Sequence, residues 1–298
     1  MTVTKDIENK SNNKIYKEGE NFYNYDIRKD SKNKLSSSEI QDGIFSILNR
    51  NIDEKDKIKR LKEILQEDKK NIKKYLNHIY IVQKTELIYS FFGNPYKKVI
   101  TNFYTPLIIA IEKNETQLAK FIIDEGGDVN FDLGKDPLLK NNFYHYNNAL
   151  ELAIFKKNSE IANYMLDKKA DPNISNYMGV TPLSRAASNK MNDIMKRLID
   201  NGANINQVDH YGLTPVCKAA ASNNIEGLKI LYDKGVDFNF KRGGKFSLKI
   251  YVARLPSTIM ANKDKKKLIK ILVEEYGVDK GSVWTNFVND LYLYGILW

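Results

Sequence analysis

The stretch MGVTPLSRAASNKMNDIMKRLIDNGANINQVD runs from Met178 to Asp209, and YGLTPVCKAAASNNIEGLKILYDKGVDFNFKR repeats its pattern directly afterwards. Two earlier segments align with this pair: YTPLIIAIEKNETQLAKFIIDEGGDVNFD from Tyr104 and NALELAIFKKNSEIANYMLDKKADPNIS from Asn148. Their anchors, Thr105, Asn148, Thr181 and Thr214, are spaced by 43, 33 and 33 residues. A worn fifth copy begins near Gly244 and resumes at LIKILVEEYGVDK. Each copy is one supersecondary unit that leaves an apolar face open until a neighbour covers it. A chain built this way must stack its units in a row.

Local chemistry in the copy from Met178 fits two successive helices. Thr181 suits an N-cap, where its hydroxyl accepts from free backbone N–H groups, and Pro182 fits the first helical turn. Ile194, Leu198 and Ile199 form a buried stripe on the second helix, and Gly202 ends it where a positive φ is required.

With T-P-L-x-x-A at Thr105–Ala110 and Thr181–Ala186, its variant at Thr214–Ala219, and G-A/V-D/N-x-N at Gly202–Asn206 and Gly235–Asn239, the chain resembles ankyrin repeats. The resemblance covers roughly residues 100–280. It implies an all-α-dominated solenoid of helix–turn–helix units with projecting β-hairpins or loops. The repeats expected are about 100–132, 143–175, 176–208 and 209–241, with a degenerate one at 242–280. Two departures stand out. The slot where the family carries His holds Ile108, Glu151, Ser184 and Cys217, and the second unit has Asn148-Ala149 for Thr-Pro and Lys169 for Gly. That unit is expected to be the weakest link.

Residues 1–35 are polar and aperiodic and read as a disordered tail. Ser36 and Glu39 make a capping box ahead of Ile40, Ile44, Ile47 and Leu48. Ile58, Leu61, Ile64 and Leu65 share a face of the next helix. A third helix, carrying His78, is predicted across 71–92 and stopped by Gly93-Asn94-Pro95. The expectation for 36–95 is a small helical bundle capping the first repeat, with a degenerate repeat pair as the other reading. At the C-terminus, Trp284, Phe287, Val288 and Leu291 predict a capping helix at 281–298, too short and polar to span a bilayer.

Composition excludes more than it assigns. The single cysteine, Cys217, rules out an internal disulfide and reads as a buried, inert thiol. No Cys/His spacing suits a metal, and no cofactor motif is present; GGKFS at Gly243–Ser247 lacks the earlier glycine and the Ser or Thr of a phosphate loop. The three histidines, His78, His145 and His210, lie far apart. No activated nucleophile emerges, so a non-enzymatic protein is expected. The absence of an apolar leader in MTVTKDIENKSNNK points to a cytoplasmic setting. Net charge is +10, yet residues 1–100 hold 21 Lys and Arg against 15 Asp and Glu, so neither half is lopsided. Compositional bias explains the charge better than a phosphate-binding face, which would cluster. Nucleic acid or ribonucleoprotein remains the alternative partner.

The resemblance implies that partners are gripped by hairpin tips and the exposed, concave face of the first helix. In repeat register these slots hold Tyr104, Tyr144, His145, Phe155, Lys156, Tyr177, Met178, His210 and Tyr211. The ten-residue insertion before the second repeat adds Leu138 and Phe143. Aromatic side chains there supply large contact area at low entropic cost. The expected work is protein binding, with inhibition by occlusion as in toxin immunity or phage anti-defence.

Overall fold

The computed structural model describes residues 15–17, 35–89, 95–132, 148–238, 252 and 255–278. The chain divides into two compact units, Met1–Ala170 and Asp171–Trp298.

The first unit opens with α1 (Ser37–Asn49) and α2 (Glu54–Leu65), then a 3-10 turn and α3 (Ile72–Leu76). The capping box forms: Glu39 N donates to Ser36 Oγ at 3.3 Å and Ser36 N to Glu39 Oε2 at 2.8 Å. Ile40, Ile44, Ile47 and Leu48 are buried as their spacing requires. On α2 the stripe differs from expectation. Leu61, Ile64 and Leu65 are buried, but Ile58 is half-buried and Lys57 takes the inner position at 1% exposure. An ammonium tolerates burial only with strong partners. Here Nζ lies 2.5 Å from Glu115 Oε1 and donates to Leu48 O at 3.3 Å.

The third helix expected across 71–92 does not form. Helix ends at Leu76, His78 lies in the following loop, and Tyr80–Tyr89 is a strand, β2. β2 pairs antiparallel with β3 (Pro95–Tyr104) in an unbroken register from Tyr80↔Tyr104 to Tyr89↔Pro95. Tyr80, Ile81, Val82, Thr85, Ile88 and Tyr89 favour an extended backbone, and this outweighs a spacing that also fits a helix. A third strand, β1 (Ile15–Lys17), pairs parallel with Ile81–Gln83. Three residues of the segment read as a disordered tail are therefore ordered.

Two helix pairs follow: α4 (Pro106–Glu112) with α5 (Thr116–Asp124), and α6 (Ala149–Phe155) with α7 (Ser159–Asp167). First helix packs on first helix and second on second, α4 on α6 and α5 on α7. The pair α1–α2 meets α4–α5 in the same manner. Asn77 strengthens the parallel. Its amide donates to Gly126 O at 3.3 Å and accepts from Asp128 N at 2.7 Å. In the second unit Asn173 bonds Gly202 O and Asn204 N in the same way, at 3.0 and 2.7 Å. The N-terminal pair thus packs on the next pair, and Asn77 bonds it, in the manner seen between repeats.

The second unit contains α8 (Pro182–Asn189), α9 (Asn192–Asp200), α10 (Pro215–Ala221), α11 (Ile225–Asp233) and α12 (Asn262–Glu274). Thr105, Asn148 and Thr181 cap their helices through side-chain oxygens. The Thr214 hydroxyl instead faces Cys217 Sγ at 3.5 Å, and Cys217 is buried. On α9 the inner stripe is Ile194, Met195 and Leu198, with Ile199 only half-buried. From the fifth copy, Leu268 and Leu272 are buried, and Tyr276 joins Tyr232 and Phe238 with ring centroids 4.8 and 5.2 Å away.

Each second helix of the four repeats closes on a left-handed residue: Gly126, Lys169, Gly202 and Gly235, with φ of 103°, 65°, 87° and 82°. Paired bonds such as Gly202 N to Ile199 O and Ala203 N to Leu198 O mark the glycine-type C-terminal motif. Lys169 adopts this conformation with a Cβ, at a cost of roughly 1–2 kcal/mol. The remainder of the N-terminal tail, the insertion, the start of the fifth copy and the C-terminal stripe from Trp284 to Leu291 lie outside the described residues.

Candidate partner-binding surface

In the second unit the loops before α8 and α10 are built on one plan. Asn176 Oδ1 accepts from Met178 N and Val180 N, both at 3.0 Å. Thirty-three positions on, Asp209 Oδ1 accepts from Tyr211 N at 2.9 Å and Leu213 N at 2.8 Å. Backbone bonds close both turns: Asn176 N to Val180 O, and Asp209 N to Leu213 O. An Asn or Asp at a turn start holds its own backbone in this way. The two tips are then joined, because His210 N donates to Met178 O at 2.9 Å. Gly179 sits at φ 76°, and a Cβ there would lie 3.0 Å from His210 Cδ2, so a larger residue would be strained and would press on the adjoining tip.

Charge differs between these otherwise matching turns. Asp209 is buried and its Oδ2 lies 2.7 Å from Lys218 Nζ, on the first helix of its own repeat. Asn176 does its work as a neutral amide. This gives the Tyr211 turn an ionic brace in addition to its hydrogen bonds.

The structure brings Tyr177, Met178, His210 and Tyr211 together on adjoining tips. Tyr177 and Tyr211 are 37% and 57% exposed, and His210 is exposed as well. Met178 is half-buried and serves the tip-to-tip bond with its carbonyl, so its side chain offers less than its register position suggests. Val208, 54% exposed beside Asp209, extends the apolar surface; its repeat slot holds Ser175 one unit earlier, so periodicity gave no signal for it.

In the first unit, Tyr104 ends β3 opposite Tyr80 and is half-buried. Phe155, at the end of α6, is 41% exposed. Lys156, expected as a free contact residue, is half-buried and tied to Glu112 Oε2 at 2.7 Å. That pairing lowers its availability to a partner. Leu138, Phe143, Tyr144 and His145 lie outside the described residues.

Among the described residues no group of His, Cys, Asp or Glu could hold a metal ion. His78 is held down at about 4 by burial, with Lys74 adding to the effect and Asp42 opposing it. It stacks edge-on against buried Tyr80 at 4.9 Å, with Gln41 Nε2 3.3 Å from Nδ1. This is a packed neutral imidazole. Among the described residues no helix is long and apolar enough to cross a membrane.

The family description "Ankyrin repeats (3 copies)" matches residues 77–176 and 150–242. The chain belongs to the ankyrin-repeat family, and its fold class is the helix-dominated ankyrin solenoid. Ankyrin repeats are protein–protein interaction modules and a typically non-enzymatic fold. No curated protein matches the chain.

Proposed function

We propose that this chain binds another protein through its hairpin tips and first-helix faces, and that it acts by occluding its partner rather than by bond chemistry. The observation that carries this reading is the pair of tips bearing Tyr177 and Tyr211. Two aromatic rings stand exposed on adjoining turns whose backbones are fixed by internal acceptors. Rigid aromatic anchors on a preorganised backbone lose little entropy on binding, and such residues carry most of the energy in protein interfaces. Val208 and His210 complete a mixed apolar and polar rim, and the insertion with Leu138, Phe143, Tyr144 and His145 is a further contact element of the proposal.

The test is affinity capture from the native host lysate with wild-type chain and with Tyr177→Ala/Tyr211→Ala, followed by titration of each specifically retained protein. The expected outcome is a partner bound at least tenfold more weakly by the variant, with an unchanged thermal midpoint. Inhibition of that partner's activity at one-to-one stoichiometry supports occlusion. Identical recovery of every retained protein by both chains overturns the proposed surface. Loss of the partner above about 0.3 M salt with no effect of the tyrosines redirects the reading to phosphate contacts.

A further inference from the structure

Neighbouring second helices are fastened along their seam by one device used twice. Asp124, the last residue of α5, pairs with Lys168, just past the end of α7, at 2.6 Å. Asp200, the last residue of α9, pairs with Lys234, just past the end of α11, at 3.1 Å. Nearer the helix starts, Lys120 pairs with Glu160 at 2.7 Å and Lys196 with Glu226 at 3.8 Å. The seam between α2 and α5 departs from this plan. Lys62 lies eight residues after Glu54, as Asp124 does after Thr116, so it takes the aspartate's place. Glu125 stands just past the end of α5, where α7 and α11 carry lysine. The charges are reversed, yet among the described residues no ion pair joins them. The Lys62 ammonium lies over the Phe121 ring instead, 5.4 Å from its centroid. Where the other two seams are closed, this one opens into a groove of about 320 Å³.

We propose that this groove binds a small zwitterion with an apolar body, namely an α-amino acid with an aromatic or large aliphatic side chain. Its floor is apolar: Leu65 is buried, and Ile72 and Phe121 are half-buried. Its polar groups are the ammoniums of Lys62 and Lys69, the amide of Gln66 and the carboxylate of Glu125. The wall that carries Lys69 is fixed in advance. Asp68 Oδ2 accepts from Tyr75 Oη at 2.7 Å and from Asn71 Nδ2 at 2.9 Å, holding the turn where the chain leaves helical geometry. Charge complementarity then defines the ligand. A carboxylate meets the two ammonium groups, an ammonium meets Glu125, and the apolar body leaves water on the ring of Phe121. A simple acid is repelled by Glu125, and a simple amine meets two like charges. The volume falls at the small end of ligand clefts, which run from about 300 to 1,000 Å³, and so suits a molecule of single-residue size. The groove lies wholly within the first unit and does not depend on the aromatic tips at Tyr177 and Tyr211.

The experiment titrates the full chain by calorimetry with three probes. They are L-phenylalanine, 3-phenylpropionate, which lacks the ammonium, and phenethylamine, which lacks the carboxylate. L-Phenylalanine is expected to bind at one-to-one stoichiometry with a Kd of about 1 mM or below, and both analogues roughly tenfold more weakly. Lys62→Asp/Glu125→Lys writes the bridge of the other two seams across the groove. It is expected to abolish binding while keeping or raising the thermal midpoint. Lys69→Gln leaves the seam as it is and is expected to weaken binding by roughly two- to fivefold. It decides the matter if the double variant does not fold. Tyr177→Ala/Tyr211→Ala is expected to bind L-phenylalanine as wild type does, and loss of binding there places the site elsewhere and overturns the proposal. So does the absence of saturable binding by wild type, equal binding of either analogue, or affinity unchanged by both groove variants.

Discussion

Two junctions between adjacent repeats use the same slot with opposite chemistry. Glu115 and Asn224 both precede the second helix of their repeats, where α2 meets α5 and where α9 meets α11. Asn224 is a neutral bridge. Its amide donates to Ala187 O at 3.1 Å and Asn192 Oδ1 at 2.9 Å, and accepts from Gly227 N at 2.9 Å. Glu115 instead receives the buried ammonium of Lys57. Around this pair, Lys113 Nζ donates to Leu48 O at 2.7 Å, and the carboxyl of Glu54, the first residue of α2, meets the backbone amides of Gln117 and Leu118 at the start of α5. Burial, then the Glu115 charge, hold the Glu54 carboxyl above its ordinary range. Burial, then Lys57, hold Lys113 below its own. The N-terminal junction thus buries opposite charges at the position where the later junction buries a neutral amide.

The largest effect expected from breaking this contrast is at Lys57. Lys57→Ala leaves Glu115 partly buried without its cation and costs roughly 3–5 kcal/mol in urea unfolding of the first unit, whereas Lys57→Met with Glu115→Leu is neutral or stabilising. A double variant as damaging as the single one would show that the charges are not the source of the cost.

Acid sharpens the comparison next. His78 is held down at about 4 when folded, against an ordinary value near 6.5. Between these values the unfolded chain binds a proton that the folded chain refuses. Stability is therefore complete above pH 6.5 and lost as pH falls, by about 2 kcal/mol at pH 5. Urea midpoints at pH 7 and 5 for wild type and His78→Gln measure it, and the variant should show the smaller drop.

At the neutral junction, Asn224→Ala should cost roughly 1–2 kcal/mol in the second unit by leaving Gly227 N without its acceptor and Asn192 Oδ1 without this donor. Smallest, and of opposite sign, is Lys169→Gly. It relieves the left-handed lysine and should raise stability by about 0.5–1 kcal/mol, net of the extra freedom glycine brings to the unfolded chain. A thermal shift of either sign in the wrong direction refutes the corresponding assignment.

These contrasts also show what the chain discloses in advance. Repeat helices are legible because Thr105, Thr181, Pro182 and Gly202 carry local signals whose meaning does not depend on distant contacts. The β2–β3 hairpin is not. Ile81, Val82, Leu87 and Ile88 suit a helix or a strand, and Gly93-Asn94-Pro95, read as a helix stop, falls equally well between two strands. No local signal marks Lys57 for burial, because its partner lies 58 residues further on. The turns inside each repeat place Asn114, Lys157, Lys190 and Asn223 at φ between 52° and 58°. Since none is glycine, no sequence signal marked them. At the candidate surface, exposure of Tyr177 and Tyr211 follows from register. The half-burial of Met178 and the pairing of Lys156 follow from neighbours that register does not name.

The bond from the His210 amide to the Met178 carbonyl uses no side-chain atom. Whatever letters mutation writes at 177, 178, 210 or 211, short of proline at 210, the two loops keep that stitch. Side chains at these positions can therefore vary residue by residue without the architecture first having to be re-solved, much as a typeface changes while the page layout stays put.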